Sequence, residues 1–275
     1  MQHQELELAT ADGQRLYAQQ WLPQGIDIRG VVCLVHGMGE HSGRYHGVAE
    51  VLTAAGWMVM AHDQRGHGRS GGKRGHAEVS LLTEDAVALV KLAEEQQPHV
   101  PRFLYGHSMG GNVALSCALR RQPAIAGVIL TSPWLRLAFE PPAPKLWAGG
   151  LMSRMWPSFS LSTGLREVAR AQGLKENIMA DELSHDRISA RMFFSLYQEG
   201  EWMLRHAAQL QVPLLLVHGN QDYITSHAAS HMMAQTAPGC TFISVACPQH
   251  ELHHSERKEE LFGALLKWLD QVAEQ

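Results

Sequence analysis

The 275-residue sequence predicts an α/β protein built on a mostly parallel sheet with helices on both faces and one inserted segment. Three observations predict it. Short runs apolar on both faces recur along the chain, as in strands buried between helix layers. Longer stretches between them carry helical spacing of apolar residues. One interval of more than eighty residues, between Val128–Leu130 and Leu214–Val217, contains no such run.

The elements follow in order. Glu5 to Thr10 alternates polar and apolar residues, Asp12-Gly13 signals a tight turn, and Arg15 to Leu22 continues as the second strand of a hairpin. Val31–Val35, Trp57–Ala61, Phe103–Tyr105, Val128–Leu130, Leu214–Val217 and Phe242–Val245 read as buried strands, and Tyr45–Ala55, Leu81–Glu95, Met109–Arg121 and Leu261–Val272 as helices. A hairpin followed by such β-α repeats makes a layered α/β sheet. The interrupting interval opens with Pro133 and Pro141-Pro142-Ala143-Pro144 and holds Trp134, Trp147, Trp156 and Trp202, four of the seven tryptophans. A structureless loop of that length is uncommon, so the expected organisation is a core of residues 1–132 and 212–275 with an inserted helical cap at 133–211.

Composition narrows the function. Apolar residues make up 45% and charged residues 18%, and 23 Lys and Arg stand against 27 Asp and Glu, for a net charge of −4. Nucleic-acid binding leaves a basic surplus, so no nucleic-acid partner is expected. Cys33, Cys117, Cys240 and Cys247 form no C-x-x-C pair; Cys33 and Cys117 lie in apolar runs and read as small core residues. The segment Met1–Asp12 lacks the apolar core of a signal peptide, and no stretch approaches the ~18 apolar residues of a membrane span. The expectation is a cytoplasmic protein, at most peripheral to a membrane.

Three motif matches fail on context. Gly68-Arg69-Ser70-Gly71-Gly72 satisfies G-x-S-x-G but has no helix behind it. Gly66-His67-Gly68-Arg69-Ser70-Gly71 satisfies G-x-G-x-x-G, yet Gly72-Lys73-Arg74-Gly75 cannot open the helix that a dinucleotide site needs, so no cofactor is expected. His250-Glu251-Leu252-His253-His254 satisfies the zinc motif H-E-x-x-H, but Pro248-Gln249 just before it places His250 in a loop. No metal is expected, and a zinc peptidase using His250, Glu251 and His254 stands as the rival of another class.

Gly106-His107-Ser108-Met109-Gly110 has the required context, a strand leading into the serine and a helix leaving it. A serine is a poor nucleophile at neutral pH; it needs a general base, which in turn needs an orienting acid. On strand-turn-helix scaffolds the chain order is Ser, acid, His. After Ser108 the next strand runs out at Val217-His218-Gly219-Asn220-Gln221-Asp222, and the following one at Cys247-Pro248-Gln249-His250. Ser108, Asp222 and His250 are therefore the expected catalytic residues, all at carboxyl ends of strands, where open α/β sheets place their sites. Taken singly, Asp222 could cap the next helix and His250 could be a surface residue. The backbone N–H groups of Met109 and of Met38, in His36-Gly37-Met38-Gly39, are the expected oxyanion donors. Asp63 is read as fixing the Arg65–Gly75 loop, and Asp85, in mid-helix, as solvated.

His36-Gly37-Met38-Gly39-Glu40-His41-Ser42-Gly43-Arg44-Tyr45, Asp63-Gln64-Arg65-Gly66-His67-Gly68-Arg69-Ser70 and Gly106-His107-Ser108-Met109-Gly110-Gly111 resemble the monoacylglycerol lipase group of the α/β-hydrolases. The resemblance spans Gly30 to about Thr131 and Val212 to the C-terminus and is weakest in the insert. It implies an eight-stranded α/β-hydrolase fold and a Ser-Asp-His esterase with a lipid-facing cap. It also implies Glu40, Arg44 and His253 at the glycerol end of the substrate; a structural ion pair is the competing reading of Glu40 and Arg44.

In the insert, Trp134, Leu135, Leu137, Phe139, Leu146, Trp147, Leu151, Met152, Met155, Trp156, Phe159 and Leu161 form an apolar tract, with helical spacing through Leu151, Met152, Met155 and Trp156. Much of it is expected to pack onto the sheet. The rest suits an acyl site and a transient membrane-surface contact, with Arg136, Lys145 and Arg154 toward headgroups. The expected partner is an acyl ester or lipid, monoacylglycerols first. Lysophospholipids, peptide N-termini (a serine aminopeptidase on the same triad) and a non-catalytic binding protein are the alternatives.

Overall fold

The structure is a computed structural model that describes residues 1–164 and 181–274. Residues 165–180 of the expected insert lie outside the described residues. Strands β1 (Gln2–Ala9) and β2 (Arg15–Leu22) form the expected hairpin, turning through Gly13 at φ +82°. Next come β3 (Gly30–Val35), α1 (His46–Ala54), β4 (Trp57–His62), α2 (Val79–Gln96), β5 (Arg102–His107), α3 (Met109–Arg120) and β6 (Gly127–Thr131). The insert contributes α4 (Ala143–Met155), β7 (Ser160–Ser162), β8 (Arg187–Ser189) and α5 (Ala190–His206). The chain returns through β9 (Leu214–Gly219), α6 (His227–Thr236), β10 (Cys240–Val245) and α7 (Lys258–Ala273).

The main sheet has eight strands in the order β1-β2-β4-β3-β5-β6-β9-β10. Only β2 runs against the rest, because β2 is antiparallel to both neighbours and every other pairing is parallel. The apolar runs bury both faces as the period of two requires. In β3, Val31, Cys33 and Val35 join the core under α2 and α3, whereas Val32 and Leu34 join the core under α1 and α7. Burial pushes the Cys33 and Cys117 thiols up to about 12, so both stay protonated packing residues. Strand β3 pairs with β4 on one side and β5 on the other. The loops leaving β3 and β5 thus meet where the strand order reverses, at the carboxyl edge.

Asp85 differs from expectation. It is fully buried, and its two oxygens accept from Arg65 Nε and Nη2 at 2.6 and 2.7 Å. Arg65 also reaches Asp12 and Gln14 on the first hairpin turn. A carboxylate in mid-helix is buried here because a guanidinium from the β4–α2 loop meets it in fork geometry. Asp85→Ala is expected to destabilise the fold by about 2–3 kcal/mol, since Asp12 still pairs with the stranded Arg65. Thermal unfolding checks this as a fall of several degrees in Tm.

The insert has two parts. Its second half is packed down: Met192, Leu196 and Met203 of α5 enter the α2–α3 core, and Glu199 meets Ser116 and Arg120. Ser189 caps α5 by accepting from Met192 N at 3.1 Å. The first half stands out. Leu146, Gly149 and Met152 of α4 turn inward to a cavity. On the opposite side Trp147 and Met155 are each 75% exposed, followed by Trp156 at 63%. The apolar tract therefore packs onto the sheet less than its composition suggests. Arg136 is not free for headgroups either: its Nη2 lies 2.8 Å from Glu201 Oε2.

Candidate active site

Ser108 is the one residue between β5 and α3, held at φ +53° and ψ −117°. A non-glycine residue adopts that conformation at a cost of order 1–3 kcal/mol, so the surroundings must impose it. They do so from both sides: Ser108 N donates to Thr131 O at 3.0 Å, and Ser108 O accepts from Trp134 N at 2.9 Å. The tightness of the turn also explains Gly110, where a Cβ would fall 2.0 Å from Val35 O. Ser108 is left at the tip of the turn with its side chain on the wall of a cavity.

Asp222 and His250 come from the loops after β9 and β10. His250 Nδ1 lies 2.6 Å from Asp222 Oδ2, with both residues buried. The other Asp222 oxygen accepts from the N–H groups of Ile224 and Thr225 at 2.8 and 3.2 Å. With Nδ1 engaged, only Nε2 of His250 is able to take up a further proton. Burial disfavours the His250 cation, but the charge of Asp222 and its hydrogen bond outweigh that, and the pKa rises above the ordinary 6.5. Burial likewise opposes charge on Asp222, yet His250 and His218 hold its carboxyl well below the usual carboxylate range. A general base must be neutral to accept a proton, so any activity that uses His250 in that role is expected to fall as pH drops, with its midpoint above 6.5. A pH profile from 5 to 9 checks this.

Sequence reasoning missed His218. Its Nε2 lies 3.2 Å from Asp222 Oδ2 and its Nδ1 lies 2.7 Å from Ser230 Oγ. An ionised Asp222 requires the donor at Nε2, which leaves Nδ1 to accept from the serine hydroxyl. The signal was present in the spacing, since His218 is the penultimate residue of β9, four residues before Asp222.

The loop after β3 packs directly on the serine, and a Cβ on Gly37 would lie 3.3 Å from Ser108 Cβ. Met38 lines the same cavity as Ser108. Met109 opens α3, and first-turn N–H groups lack acceptors within their helix. Glu40 turns inward beneath this loop. It accepts from Gly37 N, from Tyr45 OH at 2.7 Å and from Arg44 Nε at 3.1 Å. Arg44 Nη2 continues to Glu251 Oε2 at 2.6 Å, and His253 stacks on Tyr45 with centroids 4.7 Å apart. Burial opposes the Glu40 charge, but Arg44 and the neighbouring imidazoles keep its pKa low. Glu40, Arg44 and His253 thus form a cluster beside the loop and do not line the cavity. Asp63 accepts from Ser42 and Arg69, tying this loop to the one after β4. Ser70, the rejected G-x-S-x-G serine, is consumed by Asp63 O and Tyr17 N.

The cavity has a volume of about 690 Å³ and walls that are almost wholly apolar, with Trp134, Leu137, Leu146, Met152 and Phe193 among them. It has the size and chemistry of a site for one flexible apolar ligand. The segment after His250 is a loop and a single 3-10 turn, Leu252–His254, so His250 and His254 do not share a helical face. Among the described residues the one gathered metal-ligating set is Glu251, His253 and His254, without His250. The arrangement proposed for a zinc peptidase is not formed.

A family model described as serine aminopeptidase, S33, matches residues 26–258. A monoacylglycerol lipase of Mycolicibacterium smegmatis is 36% identical over 233 residues, 83% of this chain and 82% of its own length. Human monoglyceride lipase is 31% identical over 84% of this chain and 77% of its own. An uncharacterised abhydrolase domain-containing protein of Dictyostelium discoideum is 34% identical over 97% of this chain, which spans only 29% of that protein's length. The crystal structure of Paleococcus ferrophilus monoacylglycerol lipase superposes with a TM-score of 0.82 at 33% identity, covering 94% of this chain and 99% of that one.

Proposed function

The chain belongs to the serine aminopeptidase S33 family of α/β-hydrolases, within its monoacylglycerol lipase-like group, and from that premise we propose that it cleaves monoacylglycerols or similar acyl esters through Ser108, His250 and Asp222. One observation carries the reading. The strained Ser108 opens onto an apolar cavity of about 690 Å³ at the sheet edge that also holds the buried His250–Asp222 pair. In the proposed mechanism Ser108 Oγ attacks the ester carbonyl while His250 Nε2 takes its proton. Asp222 holds the Nδ1–H tautomer and balances the imidazolium. The carbonyl oxygen, now an oxyanion, is held by the N–H groups of Met38 and Met109. Collapse passes the proton to the departing alcohol, and water then releases the acyl group by the same steps in reverse.

The acyl chain lies in the cavity; Glu40, Arg44 and His253, which do not line it, are placed by this reading behind the loop after β3, toward the glycerol end rather than against the substrate. The test is hydrolysis of p-nitrophenyl esters from C2 to C16. The expected result is activity that peaks at medium or long chains and survives EDTA. Confinement of activity to aminoacyl amides would favour the aminopeptidase reading instead.

Helix α4 supports a further part of this reading. Its inner face lines the cavity while Trp147, Leu151 and Met155 face outward on the other side, close to Trp156 and Arg154. An apolar outer face with interfacial tryptophans suits brief contact with a lipid surface that presents the substrate. No helix among the described residues is long and apolar enough to cross a membrane. Trp147→Ser combined with Trp156→Ser is expected to weaken binding to anionic phospholipid vesicles about tenfold or more. Turnover of soluble p-nitrophenyl butyrate should stay within about twofold of the wild type, because neither tryptophan lines the cavity. Vesicle co-sedimentation with parallel kinetics checks both.

A further inference from the structure

We propose that Glu251, His253 and His254 form a binding site for a divalent transition metal of the zinc class, and that its occupancy slows ester hydrolysis. One ligand atom from each residue lies within 4.8 Å of the others. Two ligands of a tetrahedral zinc, at about 2.0–2.1 Å from the ion, stand about 3.4 Å apart. Closing that gap asks for small side-chain rotations and no change of fold.

His253 supplies the independent observation. It is only 4% exposed, and neither of its ring nitrogens has a hydrogen-bond partner. Buried polar atoms in native structures are almost always satisfied, and each exception calls for a reason. Metal coordination would satisfy one of the two nitrogens. His254, on the solvent side, gives an ion its route in and leaves a position open for water. Glu251 meets Arg44 through Oε2, which leaves Oε1 for an ion.

Two imidazoles and a carboxylate suit zinc and its neighbours rather than magnesium or calcium, which take oxygen ligands.

The expected effect on turnover follows from what Glu251 does without the metal. It anchors Arg44, Arg44 anchors Glu40, and Glu40 accepts from Gly37 N in the loop that packs on Ser108. Drawing Glu251 toward a metal slackens that chain. It also pulls on the backbone next to His250. This inhibitory half rests on the ester-hydrolase reading, whereas the binding half does not.

The test uses the full chain and two readouts. Zinc binding is followed by competition with a chromogenic indicator, and p-nitrophenyl butyrate hydrolysis is followed over the same zinc titration with magnesium as control. The expected result is one tight zinc per chain, a fall in kcat that EDTA reverses, and no response to magnesium. His254→Ala is expected to keep its basal activity within about twofold and to lose about 10–100-fold in zinc affinity, with inhibition shifting in parallel. A wild type that binds no zinc, or a His254→Ala variant that binds as well as the wild type, would overturn the site. Zinc bound through His254 without effect on turnover would overturn its inhibitory role. A chain with no ester turnover at all would still be decided by the indicator.

Discussion

Ser108→Ala is expected to lower kcat for a medium-chain p-nitrophenyl ester by about 10⁵-fold, with the fold and Tm little changed. The reason is local. In the proposed mechanism Ser108 Oγ is the protein's nucleophile, and its backbone conformation is imposed by Thr131, Trp134 and the neighbouring glycines rather than by its own hydroxyl. An alanine at φ +53° pays much the same backbone cost as serine. What survives is the oxyanion donors and the acyl cavity, which together leave about 10³–10⁴ over the uncatalysed rate. Steady-state kinetics with active-site titration, to exclude traces of wild-type protein, checks the size of the loss.

The second large effect is expected from Asp222→Asn, with kcat about 10⁴-fold lower. Asp222 Oδ2 now accepts from His250 Nδ1, which commits the proton to that nitrogen and the lone pair to Nε2. An amide nitrogen facing His250 would reverse the tautomer and present an N–H where the serine proton must go. Ile224 N and Thr225 N donate to Oδ1, so the asparagine oxygen is held there and the amide nitrogen falls at the Oδ2 position, facing His250 and His218. The loss should fall on kcat rather than KM, since Asp222 is not among the residues lining the cavity. A loss divided equally between binding and turnover would speak against an orienting role.

The sheet was legible in the sequence because its signal is local. Val31–Val35 or Leu214–Val217 is apolar at every position, and only a strand covered on both faces has that need. The placement of Ser108, Asp222 and His250 in the turns after β5, β9 and β10 was legible for the same reason, since the strand ends could be counted. What escaped depends on distant partners. Asp85 reads as a solvated helix residue until Arg65, twenty positions earlier, is seen to fold back on it. His218 reads as part of a strand until the loop after β9 brings Asp222 against it. The three-residue strands β7 and β8 are too short to show a period, and they pair with each other across the insert rather than with the main sheet. Helix α4 carries apolar residues on both sides, so periodicity could not tell its cavity face from its exposed one.

In the proposed function Ser108 is the nucleophile of a serine hydrolase. The most direct measurement is intact-mass and peptide mapping of the wild-type chain after reaction with a fluorophosphonate in EDTA. A single adduct is expected on the peptide that carries Ser108, formed in step with loss of ester hydrolysis, and none in Ser108→Ala. An adduct on Ser70 or another residue, or full inactivation without a covalent adduct on Ser108, would contradict it.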